Sequence, residues 1–230
     1  SLGKRVIQIG CDPKADSTIN LLGGEPVMPV MNYLREHDDE PESIEEISKE
    51  GYGGVLCIET GGPTPGLGCA GRGIIAALEE LEKKGAYEKY QPDVVIYDVL
   101  GDVVCGGFSM PMRKGYADKV FIITSGESMS VYAAANIAMA VENFKSRGYA
   151  SLGGFILNKR NVKNEEEKAA ELAADFHSSV IAEIDRSDLV SEAEDMRKTV
   201  MEAFPDSTVA EQYKALADKI AELCGMGEEK

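Results

Sequence analysis

The sequence predicts an α/β protein built on a doubly wound, mostly parallel sheet flanked by helices. Three observations predict it. Short β-branched runs recur along the chain, longer stretches with helical periodicity separate them, and glycine-rich polar residues follow several of the runs. Such alternation makes crossover units, which parallel strands require.

The runs come in order. Val6-Ile7-Gln8-Ile9, Val55-Leu56-Cys57-Ile58, Val94-Val95-Ile96-Tyr97, Val120-Phe121-Ile122-Ile123, Phe155-Ile156-Leu157 and Val180-Ile181-Ala182 read as buried strands. Helices are expected near 73–84, 128–147, 164–176, 189–202 and 208–223. Pro26, Pro29, Pro41 and the acidic His37-Asp38-Asp39-Glu40 predict a surface stretch and not a boundary. No repeat, low-complexity tract or linker divides the 230 residues, so a single domain over 1–230 is expected.

Composition narrows the function. A formal charge of −16 argues against nucleic acid, which selects clustered Lys and Arg. Most of the acid lies in helix-like stretches such as Glu79-Glu80-Leu81-Glu82 and Asn164-Glu165-Glu166-Glu167, read as solvated faces. No apolar run reaches the roughly 18–20 residues that span a bilayer. The opening Ser-Leu-Gly-Lys-Arg is not a secretory signal, so a cytoplasmic protein with no membrane partner is expected. Cys11, Cys57, Cys69, Cys105 and Cys224 make an odd count without a C-x-x-C pair. That argues against a disulfide framework and opens metal or redox use.

In open parallel sheets ligands sit beyond the carboxyl ends of the strands, and there the unusual residues collect. Asp98 ends an apolar run and precedes Gly101 in a D-x-x-G pattern. An acid so placed can hold Mg²⁺ through water while the glycine senses a γ-phosphate; an Asp capping the next element explains most such patterns. Asp12, Lys14 and Asp16 form a second charged group, for which loop solvation is the competing reading. Cys69 and Cys105 lie in Gly-x-Gly-Cys-Ala-Gly and Cys-Gly-Gly, where backbone amides can approach cluster sulfides and a helix start after Cys69 favours a thiolate. Cys57 and Cys224 read instead as small buried hydrophobes, and Cys11 stays open. Two thiolates cannot complete a four-thiolate site, so a second copy of the chain must supply the rest.

Together these segments resemble the nitrogenase iron protein family, which includes the iron proteins of protochlorophyllide and chlorophyllide reductases and of a nickel-tetrapyrrole cyclase. The matching strings are Gly10–Thr18 (GCDPKADST), Cys57–Gly73 (CIETGGPTPGLGCAGRG) and Tyr97–Gly107 (YDVLGDVVCGG), continuing through Asn158 and Thr199–Ser207. The resemblance implies a P-loop NTPase-like fold and a homodimer whose two-fold axis carries one [4Fe–4S] cluster, held by Cys69 and Cys105 of each copy. It implies MgATP/MgADP as nucleotide, Asp16 and Asp98 as magnesium-side acids, and a switch over 98–107 that includes Gly101 and Asp102. Lys14 would reach phosphate across the dimer interface, and Asp12 would orient the attacking water. Asn158 would contact adenine, with Asp185 on the base side, and Arg72 would face the partner protein beside the cluster, where some members are ADP-ribosylated.

Two departures stand out. The family opens with a strand, a G-x-x-x-x-G-K-[ST] phosphate loop and a helix, on the order of 30 residues. The 230 residues hold no such loop, and Leu2-Gly3-Lys4-Arg5 reads as the tail of that helix. The first strand, Walker A loop and first helix are thus expected to be absent from this chain. The later loop reads Ile184-Asp185-Arg186-Ser187, where relatives carry a proline before the arginine. The resemblance implies an ATP-dependent oxidoreductase component. It would take electrons from ferredoxin or flavodoxin and pass them to a larger nitrogenase or nitrogenase-like catalytic component. The alternatives are a nucleotide-incompetent iron–sulfur scaffold dimer, a tetrapyrrole reductase component, and a cluster-free partitioning-type ATPase, which Cys69 and Cys105 disfavour.

Overall fold

The computed structural model describes residues 3–37, 40–62, 70–101, 109–113 and 115–226, and of 70–72 the backbone alone. The chain divides into two compact units. The first holds residues 1–100, 104–111 and 192–203, and the second the remainder.

In the first unit, β1 (Val6–Gly10) pairs in parallel with β3 (Leu56–Glu59) and with β4 (Val94–Asp98). A two-residue β2 (Lys49–Glu50) pairs antiparallel to β3, giving the order β2-β3-β1-β4. Side chains alternate along a strand. Accordingly Ile7 and Ile9 are fully buried while Gln8 turns to the opposite face, where it meets Ser17. The register sets Gly10, Glu59 and Asp98 side by side at one edge of the sheet. β4 is the outer strand, and Ile96 is 46% exposed on it instead of buried as its sequence suggests.

Residues 26–36 are more ordered than a plain surface stretch. α1 (Val30–Glu36) follows Pro29, whose fixed φ suits a helix start, and Val27 and Val30 are buried. α2 (Ala70–Lys83) buries Ile74, Ala77, Leu78 and Leu81 at helical spacing, and α3 (Ala86–Tyr90) follows through Gly85 in the left-handed region.

In the second unit, β5 (Lys119–Thr124), β6 (Ser151–Asn158) and β7 (Val180–Ile184) pair in parallel in that order. α4 (Ser128–Lys145) and α5 (Glu165–Asp175) cover this sheet. Ile122, Ala134, Ala138, Phe155, Leu172 and Ala173 form its core. α8 (Thr208–Leu223) packs on β7, and Ser207 caps it by accepting from the Ala210 amide. Ile123, expected inside, is 65% exposed on β5, the outer strand of its sheet.

The helix expected over 189–202 is two helices, α6 (Asp188–Asp195) and α7 (Val200–Ala203). Arg197 takes a left-handed φ of 56°, the Lys198 amide turns back to the Ala193 carbonyl, and the Thr199 hydroxyl accepts from the Glu202 amide. A terminating turn thus meets a new cap. Cys224, read as buried, is exposed because it caps α8 at its last turn, whereas Cys57 is buried as expected and Cys11 joins it. Two acids in the stretches read as solvated are buried, Glu80 and Glu165. Glu165 is inside because its carboxylate accepts from the Arg160 and Val162 amides, and Lys84 lies 3.5 Å from Glu80. No described helix is long and apolar enough to cross a membrane.

Candidate functional site

In the first unit the structure brings the segment 11–18 against the end of β4. The Cys11 amide donates to the Asp98 carbonyl at 2.9 Å, and the Ser17 hydroxyl donates to Asp98 Oδ2 at 2.6 Å. Within the segment, Asp12 closes a turn. Its carbonyl accepts from the Ala15 amide and its Oδ1 from the Lys14 amide, with Ala15 held at a left-handed φ of 53°. The Lys14 ammonium stands 3.2 Å from Asp16 and 3.7 Å from Asp12, and Asp16, then Asp12, hold its pKa up. Asp12 thus closes the turn that carries Lys14, and Lys14 stays solvent-facing between the carboxylates of Asp12 and Asp16.

Beneath this group lies Glu59, an acid that the strand pattern hides at the end of an apolar run. It is 1% exposed, and its Oε1 accepts from both the amide and the hydroxyl of Thr18 at 2.7 Å, while Oε2 has no hydrogen-bond partner. Burial raises its pKa against the lowering by Thr18, and Asp16 and Asp98 raise it further. Gly10 is required here. A Cβ on it would lie 1.9 Å from Glu59 Oε2 and 2.7 Å from the Ser17 Cβ. Glu59, Thr18, Ser17 and Gln8 were missed as site residues; the readable signals were a glutamate and a glutamine inside runs otherwise apolar.

The loop that leads toward the cysteine segment is pinned on the same unit. The Thr60 amide donates to the Gly10 carbonyl, the Met31 amide to the Thr60 carbonyl, and the Arg35 guanidinium to the Gly62 carbonyl at 2.8 Å. Cys69, Cys105 and Asp102 lie outside the described residues. α2 begins at Ala70, directly after Cys69, a helix start of the kind that favours a thiolate, and Arg72 belongs to its first turn. Gly101 stands exposed three residues beyond Asp98.

In the second unit, Asn158 ends β6 and Asp185 follows β7. A recess of about 220 Å³ at the ends of β5 and β6 is lined by Thr124, Ser125, Glu127, Ser130, Asn158 and Arg160. Ser130 shapes it, accepting from the Ser125 amide and lying 3.1 Å from the Thr124 hydroxyl. Beside it Lys159 faces Glu166 and Glu183 at 2.7 Å and Asp185 at 3.5 Å. Glu166, then Glu183, raise its pKa. Gln212 holds Asp185 twice, accepting from its amide at 3.1 Å and donating to Oδ2 at 2.8 Å. The sequence reading found Asn158 and Asp185 but not the Lys159 and Gln212 that fix Asp185. Among the described residues no three His, Cys, Asp or Glu side chains converge as a direct metal site.

A family profile described as 4Fe-4S iron sulfur cluster binding proteins, NifH/frxC family, matches residues 1–225. The chain belongs to the NifH/frxC family. Among curated relatives, the nitrogenase iron protein of Methanospirillum hungatei JF-1 is 48% identical over 220 residues, covering 95% of this chain and 78% of that protein. That of Methanococcus voltae is 44% identical over 220 residues, covering 96% and 79%. Solved structures share the fold at much lower identity. The septum site-determining protein MinD of Pyrococcus horikoshii OT3, complexed with Mg-ADP, gives a TM-score of 0.69 at 14% identity, covering 100% of this chain and 88% of that one. MinD of Aquifex aeolicus gives 0.66 at 16%, covering 100% and 87%. The NifH/frxC chain therefore shares the mostly parallel, helix-flanked α/β fold of these MinD proteins.

Proposed function

We propose that two copies of this chain, each acting as one domain over residues 1–230, share one [4Fe–4S] cluster. They deliver its electron to a larger nitrogenase or nitrogenase-like component under control of MgATP. Membership of the NifH/frxC family makes the chain an iron–sulfur electron-transfer subunit. The observation that carries the finer reading is Cys69 with Cys105, each in a glycine-rich string of a chain matched over residues 1–225.

The donor sets fit the groups. Cys69 and Cys105 of both copies would hold the cluster, which supplies one-electron redox chemistry when bound. The hard oxygens of Asp16 and Asp98 suit Mg²⁺, acting through its waters. Asp12, beyond closing its turn, would orient the attacking water, and Lys14, at 70% exposure, would exchange its pairing with Asp12 and Asp16 for a phosphate bound by the other copy. Asn158 contacts the base from the 220 Å³ recess, and Asp185, fixed by Lys159 and Gln212, contacts it from β7. Residues 98–107, with Gly101 and Asp102, would couple the nucleotide side at Asp98 to the cluster side at Cys105. Arg72 faces the partner component. Ferredoxin or flavodoxin is the proposed electron donor.

The test is a mixing experiment. With the family's phosphate loop joined ahead of these 230 residues, reduced protein mixed with a purified nitrogenase-like component should lose the reduced-cluster spectrum only with MgATP present, and Asp98→Asn should block this. Cluster oxidation that ignores MgATP would contradict the reading.

A further inference from the structure

The family reading assigns Asp98 but says nothing of what orients it. Gln8 decides the direction of the bonds around Ser17. Its Nε2 lies 3.1 Å from the Ser17 carbonyl oxygen and 3.0 Å from Ser17 Oγ. A carbonyl only accepts, so the Gln8 atom facing it is the amide nitrogen, which donates to Oγ as well. The Ser17 proton is then free to point at Asp98 Oδ2, 2.6 Å away, a short bond of the charge-assisted kind. One residue on, Thr18 is clamped to Glu59 by two bonds, and Gly10 leaves room for both contacts. Ser17 thus sits on a fixed base, with its hydroxyl aimed by one neighbour at the other.

We propose that Ser17 is a positioning residue whose hydroxyl occupies one oxygen of Asp98, presents the other to a magnesium-bound water, and ties segment 11–18 to the end of β4. The proposal rests on the reading of Asp98 as a magnesium-side acid. Its consequence is mechanical. Asp12, Lys14 and Asp16 move with Asp98, so a phosphate felt by one loop is felt by the segment beyond Asp98. A hydroxyl is suited to this, because it holds the carboxylate without the charge that would neutralise it, as a lysine there would.

The full chain without nucleotide tests the tie. Hydrogen exchange by mass spectrometry is read over 11–18 and 98–101 in wild type, Ser17→Ala, Asp98→Asn and the double variant, with 119–124 as internal control. Ser17→Ala should speed exchange in both segments, and Asp98→Asn should add nothing to it. Faster exchange confined to 11–18, or additive effects, would overturn the tie. In protein that turns ATP over, Ser17→Ala should raise the Mg²⁺ concentration for half-maximal turnover about tenfold, the factor of one hydrogen bond to a charged group, with KM for ATP unchanged. Normal Mg²⁺ dependence in Ser17→Ala beside an inactive Asp98→Asn would overturn the positioning role alone. Full turnover in Asp98→Asn would remove the reading of Asp98 and, with it, this role.

Discussion

Thr18 places both its amide nitrogen and its hydroxyl 2.7 Å from a single oxygen of the buried Glu59. Burial raises the Glu59 pKa, so the folded protein binds that proton more tightly than the unfolded chain. Stability from this group is then greatest at low pH and falls as pH rises from the usual carboxylate range through the folded value. Glu59→Gln keeps the oxygen facing Thr18 and should flatten this dependence, with urea midpoints compared between about pH 5 and pH 8. Glu59→Ala strands both Thr18 donors and should cost about 2–4 kcal/mol. A wild-type pH profile in Glu59→Gln would contradict the account.

Cysteine chemistry follows burial. Burial pushes the Cys11 thiol up to about 12, with Asp98 and Glu59 adding to it, and the Cys57 thiol up to about 11, with Glu59 adding to it. Neither can form its thiolate readily near neutral pH. Iodoacetamide on the folded protein, followed by mass spectrometry, should label the exposed Cys224 well before Cys11 or Cys57. Equal rates for Cys11 and Cys224 would refute the burial of Cys11.

Lys159 holds together carboxylates that would otherwise repel one another. Lys159→Met leaves Glu166, Glu183 and Asp185 without their shared cation and should lower stability by about 1 kcal/mol, less in high salt. It should also weaken nucleotide affinity more than turnover, since Asp185 is proposed to contact the base. An effect on turnover alone would place Lys159 elsewhere in the cycle.

Arg72 lies three residues past Cys69, in the first turn of α2. Arg72→Ala should abolish electron transfer to the partner component while leaving the visible absorbance of the cluster intact. Unchanged transfer rates would reduce Arg72 to an ordinary helix-start residue.

Much of this was legible in the sequence. Every β-branched run named as a strand is one, and α8 begins and ends where its apolar spacing says, because local period and burial agree there. The acid at the end of β4 was legible too, since Asp98 closes an apolar run, whereas Asp185 came only from the family resemblance. What was not legible depends on contacts distant in sequence. Ser17 and Asp98 meet across 81 residues, and nothing near Ser17 marks its partner. Glu59 looked like a strand terminus until Thr18 was seen against it. The break between α6 and α7 escaped because Arg197 takes a left-handed turn usually left to glycine or asparagine. Cys224 was misread because a free cysteine is most often buried, whereas this one caps a helix end.

The central claim is that Cys69 and Cys105 hold one cluster between two copies, and iron analysis of anaerobically purified cysteine variants tests it most directly. Wild type should carry about four irons per dimer, a [4Fe–4S] cluster needing four thiolates. Cys69→Ser and Cys105→Ser should each lose the cluster, because each change removes two of its four ligands. Cys11→Ser, Cys57→Ser and Cys224→Ser should keep it. A full cluster per monomer, or an intact one in the Cys105→Ser protein, would contradict the account.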